Sequence, residues 1–340
     1  MKAQIKPRID LENRTRLEEV IPLRTPFVIF VDPADTCNFK CKFCPTGDRK
    51  LMKNTPGRNF GIMDFELYKK IIDDICEFEE PIKVLRLYKD GEPLLNPHFA
   101  DMVKYAKDKG CAEKIDTTTN ASLLSYKKNL EIIKAGLNKI NISIEGVNKE
   151  HYKDFSGISV NFEKMIDNIQ HLYENKGNCE VCIKINGDIL SIDEQNQFYE
   201  IFGNIADSIF IEHIAPCWPE FELKKVAVNR KYNLFGQEIK DVMVCPYVFY
   251  SFAINSNGTV SLCFLDWSRK LIIGDVKTNS VQEIWNGRNL FKYQKMFLMK
   301  KRKNHSICGN CGQLTHCQPD DIDMYSEKII NNLELRNKNL

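Results

Sequence analysis

Between residues 27 and 216, short apolar runs rich in β-branched residues alternate with segments of helical periodicity, and no other feature limits the fold as strongly. The runs are Phe27–Val31, Val84–Tyr88, Lys114–Thr119, Lys139–Ile144, Val181–Asn186 and Ile209–His213. Most are apolar on both faces, as strands are when helices cover a parallel sheet. The segments between them carry helix-end signals. Asp64–Phe78 opens on an N-cap Asp; Pro97–Gly110 begins with Pro and ends with Gly; Ser125–Gly136 and Asn161–Gly177 also end in Gly. Six such units predict a parallel sheet with right-handed crossovers, either open or part of a barrel, with ligands at the C-terminal strand ends.

The loop after the first run, "DTCNFKCKFCPTG", places Cys37, Cys41 and Cys44 at that edge. The chain has 340 residues, thirteen cysteines and a net charge of +2, so no strong field points to nucleic acid. Neither a signal peptide nor an apolar run of roughly 18 residues is legible, and a cytoplasmic protein with reduced thiols is expected. Clustered cysteines in that compartment read first as metal ligands. A closed zinc site needs four ligands, so zinc here would have to recruit a distant one. A single helical stripe is opposed by Pro45 and by Thr36 and Asn38. A [4Fe–4S] cluster held by three thiolates would keep one iron open for a ligand.

The Cys-x3-Cys-x2-Cys loop resembles the signature of the radical S-adenosylmethionine (SAM) superfamily. That resemblance implies a cluster whose open iron chelates SAM, and cleavage to a 5′-deoxyadenosyl radical that abstracts hydrogen from a C–H bond. "DGEPLLNP" (90–97) is similar to the family's Gly-Gly-Glu-Pro element, with Asp90 in place of the first Gly. Glu92 would accept bonds from the SAM ammonium, with Gly91 giving backbone access. "TTTNASLL" (117–124) is similar to Thr-Asn-Gly, with Ala121 for Gly, and "ISIEG" (142–146) to Ser-x-Asp-Gly. Asn120, Ser143, Glu145 and Asn186 are the further cofactor-binding candidates. "HYKDFSG" (151–157) carries Ser156 where the family commonly has Arg.

A second region begins near Val242. "FYSFAINSNGTVSLCF" (249–264) predicts two strands joined by a turn, followed by a helix over "SVQEIWNGRNLFKYQKMF" (280–297) and the loop "CGNCGQLTHC" (308–317). Spacing alone allows a zinc ribbon. The region resembles the SPASM/twitch domain, which implies one auxiliary [4Fe–4S] cluster on Cys245, Cys263, Cys308 and Cys311, with Cys317 as an alternate fourth ligand. The fold expected is α/β: a partial (β/α)6 barrel over 27–240, after an N-terminal extension (1–26) and before a small α+β SPASM/twitch domain (241–323) and a tail or helix (324–340). Cys76, Cys111, Cys179, Cys182 and Cys217 read as buried small hydrophobes, and the six histidines show no ligand spacing. The basic run Lys292–Asn304 reads as a solvated helix end.

An oxidoreductase is expected. The resemblance points to dehydrogenation of a sugar, aminosugar or polyol, with the auxiliary cluster as electron acceptor and a reductant such as flavodoxin or ferredoxin. The alternatives are a carbohydrate epimerase, a maturase of a ribosomal peptide, and a zinc-stabilised binding module. No catalytic residue is assigned; Asp266, three residues after Cys263, is a candidate acceptor for the hydroxyl proton. Neither nucleic acid nor membrane is an expected partner. Specificity is expected in the loops 46–61 and 215–240.

Overall fold

The apolar runs all become strands of one sheet. In the computed structural model, which describes residues 1–58, 60–223, 231–317 and 320–338, the strands are β1 (Gln4–Ile5), β2 (Val28–Val31), β3 (Ile82–Arg86), β4 (Ala112–Thr119) and β5 (Lys139–Ile144). They continue with β6 (Glu180–Asn186), β7 (Ser208–Glu212), β8 (Ser251–Ile254), β9 (Thr259–Ser261) and β10 (Ile272–Asp275). The spatial order is β1-β7-β6-β5-β4-β3-β2-β8-β9-β10. Strands β2 to β7 are neighbours in sequence order and all parallel. Residues from all six line one cavity, so the sheet curls into a partial barrel around it.

The returning helices span Phe65–Ile75, Phe99–Lys109, Tyr126–Ala135, Phe162–Glu174 and Ile192–Phe202. Asp64, Ser125 and Asn161 accept the N-terminal amide bonds that their types predict, and Gly110 and Gly136 end their helices at φ 66° and 94°. Each helix lays an apolar stripe on the sheet; Tyr68, Ile71 and Ile72, for example, are wholly buried. Among the described residues, no helix is long and apolar enough to cross a membrane.

Several local expectations are corrected. The first residues add β1 beside β7, so the N-terminal segment belongs to the sheet. The predicted hairpin forms as β8 and β9, but β8 also pairs in parallel with β2 and β10 adds a third strand, so the second region continues the sheet. The helix expected over 280–297 breaks into Val281–Trp285 and Arg288–Leu298, because Gly287 turns extended at φ −76°, ψ 154°. Of the two alternatives expected for 324–340, a tail or a helix, residues Ser326–Lys338 form the helix, with Ile329 and Leu333 buried. Arg302, in the run taken as solvated, is buried, whereas Cys76, taken as buried, is exposed. Part of the expected specificity loops, residues 59 and 224–230, lies outside the described residues.

Candidate active site

A cavity of about 420 Å³ lies within the curl of the sheet, and Cys37, Cys41 and Cys44 are in its wall. No helix forms over these residues; a 3-10 turn, Pro45–Gly47, follows them. Backbone bonds from other elements hold the loop. Glu92 N donates to Thr36 O at 2.9 Å, Lys40 N to Ser156 O at 2.8 Å and Lys42 N to Phe155 O at 3.1 Å. Ser156 itself turns its hydroxyl to Tyr152 O, so the segment 151–157 braces the loop through its backbone. Burial, with Glu92 adding to it, pushes the Cys37 thiol up to about 12, and burial holds Cys44 at about 11. Such thiols ionise when a metal supplies the positive charge.

The element after β3 packs on this loop. A Cβ on Gly91 would sit 2.1 Å from both Ala34 O and Thr36 O, so only glycine fits. The reason for the glycine is this approach of two backbones. Glu92 accepts from Thr119 Oγ1 at 2.7 Å, Leu94 N at 3.0 Å and Asn120 N at 2.8 Å. Its carboxylate therefore ties the ends of β3 and β4 together, and of its roughly four acceptor positions about one remains for a ligand ammonium. Asn120 donates to Asn38 Oδ1 at 2.9 Å and lies 3.8 Å from the Cys37 sulfur. Ala121 holds φ 62°, a left-handed conformation that favours the glycine it replaces. Ser143, Glu145 and Asn186 line the same cavity, and burial pushes the Glu145 carboxyl up to about 7.

Cys245, Cys263, Cys308 and Cys311 line a separate, smaller cavity of about 30 Å³. Burial raises their thiols too, Cys311 to about 11. The buried Arg302 donates to Cys308 O at 3.2 Å and Cys311 O at 3.4 Å, fixing the loop that carries both. Cys317 is in the wall of the large cavity instead, beside Cys217. Asp266 accepts from Lys270 N and Leu271 N and lines the smaller cavity, so it closes a turn.

Neither thiol group is spaced for zinc. Four sulfurs about 2.3 Å from one zinc ion lie about 3.8 Å apart. Among the described residues, the only Cys, His, Asp or Glu trio with ligand atoms all within 4.8 Å is Asp32, Asp35 and Asp90. Wider thiol spacing suits a cluster in which each sulfur binds its own iron. The aspartate trio is already neutralised. Arg58 lies 2.9 Å from Asp35 and 2.6 Å from Asp90, Lys89 2.6 Å from Asp90, and Arg269 2.8 Å from Asp35 and 3.0 Å from Asp90. Burial opposes the charge of Asp90, but Lys89, Arg58 and Arg269 outweigh it and hold the carboxyl at about 2. This accounts for the acid standing where the family motif has glycine.

Sequence reasoning missed several residues of the cavity. His213, just beyond β7, takes Asp188 Oδ1 at 2.7 Å on its Nδ1. Nδ1–H donates to that carboxylate, which fixes the orientation of the ring. A polar residue at the end of a parallel strand was the available signal. Arg8 and Arg14, from the N-terminal segment, and Arg86, Lys184 and Glu212, from the inner strand faces, also line the cavity. Charged residues within short strands read as solvated faces unless the curl of the sheet is known.

Comparison with known proteins agrees with this geometry. A family model described as the radical SAM superfamily matches residues 31–194, and one described as an iron–sulfur cluster-binding domain, SPASM, matches 245–312. The AdoMet-dependent heme synthase of Methanosarcina barkeri is 21% identical, over 81% of this chain and 84% of that protein. The crystal structure of BtrN in complex with AdoMet and 2-DOIA superposes with a TM-score of 0.57 at 19% identity, covering 87% of this chain and 97% of that one. Streptococcus suis SuiB bound to precursor peptide SuiA gives 0.63 at 14% identity, covering 93% and 79%.

Proposed function

Because this chain belongs to the radical SAM superfamily and carries a SPASM iron–sulfur cluster-binding domain, we propose that it oxidises a small hydroxylated substrate, a polyol, sugar or aminosugar. Its cofactors are a [4Fe–4S] cluster with SAM and auxiliary iron–sulfur. In this reading Cys37, Cys41 and Cys44 hold the SAM-binding cluster, and Cys245, Cys263, Cys308 and Cys311 the auxiliary one. When bound, these groups supply the radical that removes a carbon-bound hydrogen and a place for the electron left behind. A one-electron donor such as flavodoxin or ferredoxin would serve them.

The observation that carries oxidation is the His213–Asp188 pair in the cavity wall. Turning a carbinol into a carbonyl releases the hydroxyl proton as well as the carbon-bound hydrogen. An imidazole held by a carboxylate on one nitrogen can take that proton on the other. Glu92, Asn120, Ser143 and Asn186 would orient SAM, and the apolar wall of Val28, Phe30 and Phe264 would keep water from the reacting carbon.

One observation favours epimerisation instead: Cys217 places a thiol in the cavity wall, where it could return hydrogen to a substrate carbon. Mass separates the two readings. Anaerobically reconstituted protein, incubated with SAM, reductant and a sugar panel, should release 5′-deoxyadenosine and a product lighter by two hydrogens. A product of unchanged mass, or one deuteron heavier in deuterated water, would favour epimerisation. Reconstitution should give about eight irons per chain, falling to about four when Cys37, Cys41 and Cys44 are replaced.

A further inference from the structure

We infer that the substrate carries an anionic group, a carboxylate or phosphate, held between the guanidinium groups of Arg8 and Arg86. The inference rests on the preceding reading only in taking the large cavity as the substrate's site. Arg8 is brought there by the N-terminal segment, whose course is pinned where Lys139 Nζ donates to Arg8 O at 3.0 Å. Arg86 projects from the end of β3.

On each guanidinium group the Nε donor has no hydrogen-bond acceptor among the described residues. Arg8 Nε is buried and makes no hydrogen bond among the described residues; its nearest carboxylate, Glu212 Oε1, is 3.6 Å away. Lys184 engages Glu212 through Oε2, 2.5 Å from its Nζ, while Oε1 makes no hydrogen bond among the described residues. Arg86 donates from Nη1 to Tyr88 Oη at 2.8 Å, but its Nε is buried without a hydrogen bond, with Asp116 Oδ2 3.7 Å off. Arg14 nearby is not available, since Asp320 takes its Nε and Nη2 at 2.7 and 2.5 Å.

Charge points the same way. The connected set around these groups holds Arg8, Arg86, Lys139 and Lys184 against Asp116, Glu180 and Glu212. Four cations face three anions, and burial disfavours the charge of Glu145, the remaining carboxyl near Lys184. Two arginines lining one cavity, each with an Nε donor unmet, suit the paired oxygens of a carboxylate or phosphate. The carboxylate of SAM has the same chemistry, so the test must separate the two sources.

Anaerobic titration calorimetry on the cluster- and SAM-loaded protein, with D-glucuronate, D-glucose 6-phosphate and D-glucose as probes, decides the matter. At least one anionic sugar should bind about tenfold or more tightly than glucose. Arg8→Gln and Arg86→Gln should each remove that preference, and Arg8→Lys should keep part of it. The SAM dissociation constant, measured alongside, should stay unchanged, which also reports an intact fold. Equal binding of charged and neutral sugars overturns the inference, as does a loss of SAM affinity in Arg8→Gln and Arg8→Lys alike. The oxidation reading fails separately, on the mass of the product.

Discussion

Just beyond β7, His213 lines the cavity with its Nδ1 engaged by Asp188. If it receives the hydroxyl proton, His213→Gln should lower the rate of product formation by about 10²–10⁴. 5′-Deoxyadenosine should still form, uncoupled from oxidation, and Asp188→Asn should show the same pattern more weakly. Chromatographic quantification of both products checks this, and an unchanged ratio would remove the histidine from the mechanism. Glu145 allows a prediction that needs no substrate. Burial raises its folded-state pKa from 4.5 to about 7, while Lys184 works the other way. The fold therefore holds this proton more tightly than the unfolded chain does. The stability it confers is complete below about pH 4.5 and disappears as pH rises through about 7. Glu145→Gln should flatten that slope, leaving the variant more stable by about 3 kcal/mol at pH 8 and equal near pH 4.5. Urea midpoints at several pH values in SAM-free protein measure it, and parallel curves for the two proteins would contradict it.

The elements meet where the β3 end lies on the three-cysteine loop, with no room for a Cβ at position 91. Gly91→Ala must push the loop away from Glu92, whose amide bond to Thr36 would lengthen. The expected outcome is loss of about four of about eight irons with unchanged far-ultraviolet circular dichroism. Full iron content would show that the loop can shift at no cost. Local chemistry made much of this level legible from the residues alone. Apolar runs marked β2 to β7, Asp64, Ser125 and Asn161 marked helix starts, and Gly110 and Gly136 marked helix ends. The residues expected around SAM do share one cavity. What could not be read depended on contacts distant in sequence. The two-residue β1 has no periodicity to detect, and β8 resembles a hairpin strand until β2 is seen beside it. Arg58 and Arg269 look like surface cations until three aspartates surround them. Asn286–Gly287 is a break signal masked by the apolar period that resumes beyond it.

For the whole molecule, the decisive question is what keeps the two cysteine groups in register. Asp32 and Asp35 leave β2 toward the first group, Lys89 and Asp90 leave β3, and Arg269 belongs to the turn that follows Cys263. Arg58 joins them, donating to Asp35 O at 3.2 Å and Trp267 O at 3.3 Å, with its guanidinium 4.6 Å from the Trp267 ring. Lys89 Nζ also reaches Asp266 O at 3.3 Å. Three cations and three acids, with almost no exposure, thus join the loop of one cysteine group to the loop of the other. Removing one partner strands a buried charge, so Asp90→Asn and Arg269→Met should each lower stability by about 3–5 kcal/mol. Removing both restores neutrality, and the double variant should be less destabilised than the sum by about 1 kcal/mol or more. Because the sheet is also continuous from β1 to β10, urea unfolding should lose the visible iron–sulfur absorbance and the far-ultraviolet signal together in the native protein. Additive losses in the double variant would mean that the six charges act as independent pairs. Separated transitions in the native protein would mean that the cysteine groups are held by two structures, each folding by itself, and that the charges between them are no more than a contact.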